Sequence, residues 1–188
     1  MALPGRPLRA DALRNRDALV AVARAAFSAS SQTVPLEDIA RDAGVGIGTL
    51  YRHFPTREAL VEVAYAAELD DVVSSAATLL AELGPEPALR AWMRRYAGFS
   101  VMKRGIMDTL RVGWASGRIA TPATRERVNS AIAEILTAGA ADRSLRSDIS
   151  ADNVTTMVLG VVLSTGPAAP ISLLERLFDL LVDGLVPR

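Results

Sequence analysis

The chain of 188 residues contains no cysteine, one histidine (His53) and one lysine (Lys103). Without thiols it can form no disulfide, no thiolate zinc site and no cysteine nucleophile. A lone imidazole excludes a multi-histidine metal site and leaves no histidine to relay protons elsewhere in the fold. No metal, cofactor or catalytic residue is therefore expected. Aromatic residues are scarce as well, with two tryptophans, three tyrosines and four phenylalanines. The most apolar stretch, residues 157–163, falls far short of the roughly 20 residues that a membrane helix needs. The N-terminus superficially mimics a secretory signal, but Arg24 interrupts the apolar run of residues 18–23. The expectation is a soluble, cytoplasmic protein with no membrane partner.

What is present is ample material for a core, since 50% of the residues are hydrophobic, chiefly Ala, Leu and Val. The formal net charge is zero, which taken alone speaks against nucleic acid. The charge is nevertheless unevenly placed. Residues 1–60 carry eight arginines against six acids, whereas residues 61–188 carry 13 basic against 15 acidic side chains. That asymmetry has the sign expected of a DNA-facing N-terminal part. The excess of arginine over lysine reads as coding bias.

Apolar residues recur at helical spacing along nearly the whole chain, and no strand alternation is visible. A first helix is expected over residues 11–27, with Leu13, Val20 and Phe27 on one face. Pro35 opens a short helix that stops at Gly44, and a second short helix ends before Pro55. Thr56 can cap a long helix carrying Leu60, Val63 and Ala67 and continuing towards Leu80. Gly84-Pro85-Glu86-Pro87 is a stop and restart, after which five more helical segments fit. The reading is all-α with about nine helices, divided into an N-terminal domain of residues 1–56 and a C-terminal domain of residues 57–188.

One segment stands apart. Residues 36–54 read LEDIARDAGVGIGTLYRHF and gather the single histidine, a tyrosine and an arginine behind three glycines. A phosphate-cradling Walker loop would place lysine after its glycines, whereas Thr49 and Leu50 follow Gly48. A dinucleotide loop would follow a strand, whereas IARDAG reads as helix. The residues suit a helix-turn-helix instead. Two short helices cross steeply only if the contact residue on the first is small, as Ala40 is. The turn needs a residue tolerant of positive φ, which Gly44 supplies. Leu50 packs the second helix back onto the first, and Ile39, Val45 and Phe54 complete the small core.

Gly46 and Gly48 then let the second helix approach a DNA backbone closely. Thr49, Tyr51, Arg52 and His53 offer donors to phosphates and base edges, and Ile47 offers a contact for a thymine methyl. Blander roles compete for three of them. His53 can be satisfied within the fold, Tyr51 can pack beneath the first helix, and Arg52 can be merely solvated.

The run GVGIGTLYRHFPTREAL resembles the DNA-binding domain of the TetR family of bacterial repressors, over residues 11–65 or so. The resemblance implies a homodimer whose N-terminal domains enter successive major grooves of a palindromic operator. It implies C-terminal helices that bind a small-molecule inducer and form the dimer interface. It also implies phosphate contacts for Tyr51, His53, Thr56 and Arg57, and a backbone or base contact for Thr49. Many members carry Ser-Lys or Ser-Arg where this chain has Gly46-Ile47, so a base-reading cation is missing here. Many also carry a Thr or Ser cap where this chain has Val34-Pro35.

In the C-terminal domain, stripes such as Trp92, Met93 and Tyr96 suit plain core. Both tryptophans, however, lie on adjacent segments of the domain assigned to inducer binding. A pocket of Trp92, Tyr96, Phe99, Met107, Leu110, Trp114 and Met157 would be mostly apolar and would suit a hydrophobic or aromatic ligand. Leu174, Leu177, Phe178, Leu181 and Leu185 form a wide stripe near the C-terminus, with Val158, Val161 and Val162 on the preceding helix. With their symmetry mates these would form a four-helix dimer interface.

The function expected is a sequence-specific transcriptional regulator, a repressor released from its operator by a small ligand. Two other classes compete with it. One is a ligand-independent DNA-binding dimer, favoured by a solid helical core. The other is a small helical enzyme using Asp148 and Asp152, whose context RSDISADNV reads better as a loop and capped helix start.

Overall fold

The structure, a computed structural model, describes residues 6–29, 34–115, 124–166 and 169–187, except the side chains of residues 6–9. Among the described residues there are nine helices and no strand, as the apolar periodicity predicts. They are α1 (Arg6–Ala29), α2 (Leu36–Asp42), α3 (Ile47–His53), α4 (Arg57–Leu83) and α5 (Pro85–Gly105), followed by α6 (Met107–Ala115), α7 (Thr124–Asp142), α8 (Ala151–Ser164) and α9 (Ile171–Asp183). No described helix is long and apolar enough to cross a membrane.

The helix boundaries follow from local chemistry. Gly44 takes a φ of +69° after α2, and its N–H donates to the Arg41 carbonyl at 3.0 Å. The Val45 N–H then reaches back to the Ala40 carbonyl at 2.9 Å, so two otherwise orphaned carbonyls at the end of α2 are satisfied. The Thr56 hydroxyl accepts the Ala59 N–H at 3.3 Å and caps α4. At the far end of that helix Gly84 adopts a φ of +77°, and Pro85 opens α5 where its missing N–H costs nothing. Ser150 and Asn153 form a reciprocal capping box at the start of α8.

The described residues form two compact units. The first takes in those of Met1–Ala67 and Met102–Ala120, so it holds α1 to α3, the first turns of α4, the end of α5 and α6. Its core contains Leu19, Ala23, Phe27, Ile39, Leu50, Phe54, Leu60 and Val61. The second takes in those of Glu68–Val101 and Thr121–Arg188. There α8 packs against both α7 and α9, with Val128, Ile132, Ile135, Val154, Val158, Leu174 and Phe178 buried. The Thr155 hydroxyl, fully buried, donates to the Asn129 side chain at 3.0 Å and fixes the facing of α8 on α7.

Two sequence expectations shift. The first helix starts at Arg6 rather than at residue 11, and Leu13 is 61% exposed. A seven-residue step drifts by about 20° on a straight helix, so Leu13 rotates away from the face that holds Phe27. The buried set is Leu19, Val20, Ala23 and Phe27. On α4 the buried face runs through Leu60, Val61, Ala64, Tyr65, Leu69, Val72, Ala76 and Leu79, while Val63, Ala67 and Leu80 are half-buried.

Candidate nucleic-acid interface

Two short helices and a left-handed turn hold the interface together. Ile39 and Leu50 are fully buried, Ala40 and Phe54 nearly so, and Val45 is half-buried beside the exposed Gly44. Each large side chain removed from water in this way stabilises the fold by about 1.5–3 kcal/mol. α1 covers the pair, since it contacts both α2 and α3, and Arg16 lies over the Phe54 ring at 5.7 Å.

With Leu50 pinned inward, the rest of α3 faces out. Ile47, Tyr51 and Arg52 are exposed, and Thr49 and His53 are half-buried. Tyr51, 45% exposed, is not tucked beneath α1, so its phenol is presented to solvent. Neither Gly46 nor Gly48 has any atom within 4 Å of the position a Cβ would take, so that face is open. Hydroxyl, phenol, guanidinium and imidazole groups thus lie on one surface with an apolar contact at Ile47, which suits an acidic, grooved polymer. Thr56 is exposed, and its hydroxyl, which accepts the Ala59 N–H, keeps its own proton to donate.

Arg57 has a second task. Its guanidinium lies over the Phe27 ring at 5.7 Å and donates to the Val34 carbonyl at 2.6 Å. Burial pushes its pKa below the ordinary arginine value, with neighbouring Glu58 acting in the opposite sense. This side chain braces the start of α4 against the end of α1 and the entry to α2. Whatever it offers a phosphate comes from its remaining N–H groups.

The seven pocket residues are divided between the two units. Trp92, Tyr96, Phe99 and Met157 belong to the second unit, and Met107, Leu110 and Trp114 to the first. Trp92 and Tyr96 stack at 5.4 Å, and Tyr96 meets Phe99 at 5.6 Å and Phe178 at 6.3 Å. All four are buried, and the Trp92 indole donates to the Val72 carbonyl at 2.9 Å. This is hydrogen-bonded aromatic core. Met157 is 55% exposed on α8 and takes no place in that stack. Leu110 is fully buried, while Met107 and Trp114 are half-buried.

The first unit contains a group that the sequence reading passed over. The Lys103 ammonium lies 5.9 Å from the centres of both the Tyr65 and Trp114 rings. Burial pushes its pKa down, and no carboxylate among the described residues pairs with it. The Trp114 indole nitrogen is buried and has no acceptor among the described residues. An unpaired buried donor costs about 1–3 kcal/mol. The signal was in plain view as the single lysine of an arginine-rich chain, but it reads as coding bias until its surroundings are known.

The residues expected at a dimer face divide by burial. Val158, Leu174, Phe178, Leu181 and Leu185 are buried within their own chain. The stripe on α9 is wide because it packs inward on its neighbours. Val161, Val162 and Leu177 are half-buried, and the exposed apolar residues of α8 and α9 are Met157, Leu163, Ile171 and Leu180. Asp148 and Asp152 are likewise separate: Asp148 pairs with Arg146 at 2.7 Å and Asp152 with Arg125 at 2.8 Å. The capping box beside them matches the loop-and-cap reading.

Comparison with known proteins places this geometry. Residues 19–64 match the family described as bacterial regulatory proteins, tetR family, and residues 84–187 match the C-terminal domain of SbtR-like transcriptional regulators. Among solved structures, a TetR transcriptional regulator from Streptomyces coelicolor is 42% identical, with a TM-score of 0.81 over 92% of this chain and 98% of that one. A TetR regulatory protein from Mycobacterium vanbaalenii is 35% identical, with a TM-score of 0.73 over 96% and 100% of the two chains. A gamma-butyrolactone receptor shares the fold at 22% identity, with a TM-score of 0.59 over 94% and 90%. No curated protein matched the chain.

Proposed function

The chain belongs to the TetR family of bacterial transcriptional regulators, and on that premise we propose that it is a homodimeric repressor, acting in the cytoplasm, that a small hydrophobic or aromatic ligand releases from a palindromic operator. The observation that carries the reading is the division of labour within residues 36–54. Ile39, Ala40, Leu50 and Phe54 are buried as a scaffold, while Ile47, Thr49, Tyr51, Arg52 and His53 line the other side of α3. Tyr51, His53, Thr56 and the outer N–H groups of Arg57 would hold phosphates and set the register. Thr49 and Ile47 would meet base edges.

A two-fold operator requires two heads about one helical turn apart, near 34–36 Å. Dimerisation through the outward faces of α8 and α9 supplies the symmetry. Val161 and Met157 would contribute from α8, with Leu173, Leu177 and Leu180, at spacings of four and three, from α9. Ligand release is then a matter of linkage, because a ligand shifts the equilibrium only by its difference in affinity for the two head arrangements. A coupling of about 1–3 kcal/mol would lower operator affinity roughly 5- to 150-fold. The half-buried Met107 and Trp114, on the same helix as the buried Leu110, would give the effector its contacts.

One observation favours a second reading, a ligand-independent DNA-binding dimer: the Trp92, Tyr96, Phe99 and Phe178 rings are packed as solid core. A single experiment separates the readings. The full chain is used to select duplexes from genomic fragments, and the enriched duplex is challenged with hydrophobic and aromatic compounds. An enriched inverted repeat, weakened by Tyr51→Phe and by His53→Ala in a folded dimer, supports the DNA-reading role. Release by a compound supports the repressor. Enrichment with no release by any compound favours the ligand-independent dimer, and no enrichment at all removes the DNA-reading role.

A further inference from the structure

We propose that Lys103, Tyr65 and Trp114 form the charged end of the effector site and that they receive the carboxylate of a small aromatic acid. The inference rests on the ligand-response reading and narrows it, since an apolar lining alone calls only for a hydrophobic body. Three observations carry it. The Lys103 ammonium sits 5.9 Å from each of two ring centres, and no carboxylate among the described residues neutralises it. The Trp114 indole nitrogen is buried in the same group with no acceptor among the described residues. Lys103 and Trp114 are each half-buried, so the group reaches the surface, and a ligand seated there would have to uncover the indole nitrogen that lies beneath it.

The donor set dictates the ligand's chemistry. An ammonium has three N–H donors and no acceptor, and an indole N–H is a donor only. The complementary group must accept at both positions, which an ionised acid does with a compensating charge, whereas a protonated amine cannot accept and an amide is neutral and leaves its own N–H groups without partners. The charge count points to a monoanion. One lysine balances one negative charge, and a phosphate dianion would carry an uncompensated charge into an aromatic setting. The rings hold the ammonium by their faces but give it no hydrogen-bond acceptor, so a carboxylate adds an interaction that the protein alone does not make. Trp114, half-buried, also supplies a flat apolar wall that an aromatic ring prefers, with the buried Tyr65 holding the ammonium from the inner side. A lysine suits the position better than an arginine, being a compact point charge that fits between two rings.

The single lysine makes the test unusually direct. Full-length protein carrying [13C]lysine has one lysine side chain to observe by NMR, and it is titrated with 1-naphthoate, 1-naphthamide and 1-naphthyl phosphate. The expected result is a saturable shift of the Lys103 Cε–Hε signal with 1-naphthoate, at least tenfold tighter than with the amide or the phosphate. Lys103→Met should fold as well as the parent and lose at least tenfold in affinity for 1-naphthoate, read by tryptophan fluorescence. Equal binding of acid and amide, tighter binding of the phosphate, or no response to 1-naphthoate at millimolar concentration would each overturn the proposal. The failure modes are distinct. Operator release by neutral compounds with an unmoved lysine signal leaves the repressor standing without this site. Carboxylate binding at Lys103 without operator release establishes the site and removes the regulatory reading.

Discussion

The Val72 carbonyl on α4 accepts the Trp92 indole N–H from α5 at 2.9 Å, and the Ser75 hydroxyl donates to the same oxygen at 2.7 Å. Trp92 thereby ties two helices of the second unit together. Trp92→Phe keeps an aromatic ring but deletes the donor and part of the buried volume. We expect a loss of about 1–3 kcal/mol in urea denaturation, with operator affinity unchanged wherever the variant is folded. A variant with parental stability and an altered ligand response would return Trp92 to the effector site.

Gly44 and Gly48 should respond oppositely to the same methyl group. At Gly44 no atom lies within 4 Å of a Cβ, but the φ of +69° is one that other residues resist, so Gly44→Ala should cost about 1–2 kcal/mol. Gly48 sits within α3 and has the same free space, so Gly48→Ala should stabilise the isolated protein by about 0.5–1 kcal/mol. If a DNA backbone approaches that face, the same substitution should weaken operator binding. Thermal melts and fluorescence anisotropy on one preparation read both effects. Gly48→Ala with undiminished operator affinity would move the DNA contact elsewhere on the helix.

Neighbouring leucines of α9 provide a paired test of the dimer. Leu180 is 66% exposed and Leu177 half-buried, whereas Leu174 is fully buried. Leu177→Arg and Leu180→Arg should give folded monomers by light scattering and circular dichroism. Leu174→Arg should fail to fold, because it buries an unpaired charge at an estimated cost of several kcal/mol. Dimers that survive both Leu177→Arg and Leu180→Arg would place the interface on another surface.

The partly desolvated ammonium of Lys103 should leave a mark on stability as a function of pH. Its folded-state pKa lies below the ordinary value of 10.5, so across the interval between the two the unfolded chain binds more protons. Stability from this group therefore rises with pH through that interval and is flat below it. Lys103→Met has no such dependence, and its stability advantage over the parent should narrow as pH rises. Urea unfolding of both proteins over a pH series measures the difference, and a constant offset would mean that the ammonium is fully hydrated.

The legible parts of the fold were those written in local chemistry. Gly44, Thr56, Gly84 and Pro85 mark boundaries through backbone geometry and capping, which involve only a few adjacent residues, and the observed α2 and α3 fall where those residues put them. The small core of the helix-turn-helix was legible for the same reason, since its spacing is imposed by a single crossing. Facing was harder. An apolar stripe on α9 says that Leu174 and Phe178 need cover but not which neighbour supplies it, and the answer was their own chain. Aromatic scarcity was silent on surroundings in a similar way, because Trp92 and Trp114 look alike in sequence. One has its indole N–H satisfied by Val72 and the other has no acceptor among the described residues, a contrast that exists only in three dimensions. Lys103 was visible but mute, because a lone charge acquires meaning only from what surrounds it.

The split between the inward and outward residues of α3 bears on how such a protein changes over time. Leu50 alone anchors the helix from within, and the open space beside Gly46 and Gly48 means that new side chains can be added there without touching the scaffold. If that outward face reads DNA as proposed, target choice and foldedness are carried by separate positions. A lineage can sample substitutions at 46–49 and at 51–52 while its stability stays nearly constant, so each trial is judged on the DNA sequence it favours rather than on survival of the fold. Such a surface lets a duplicated copy acquire a new set of genes in a few single-residue steps.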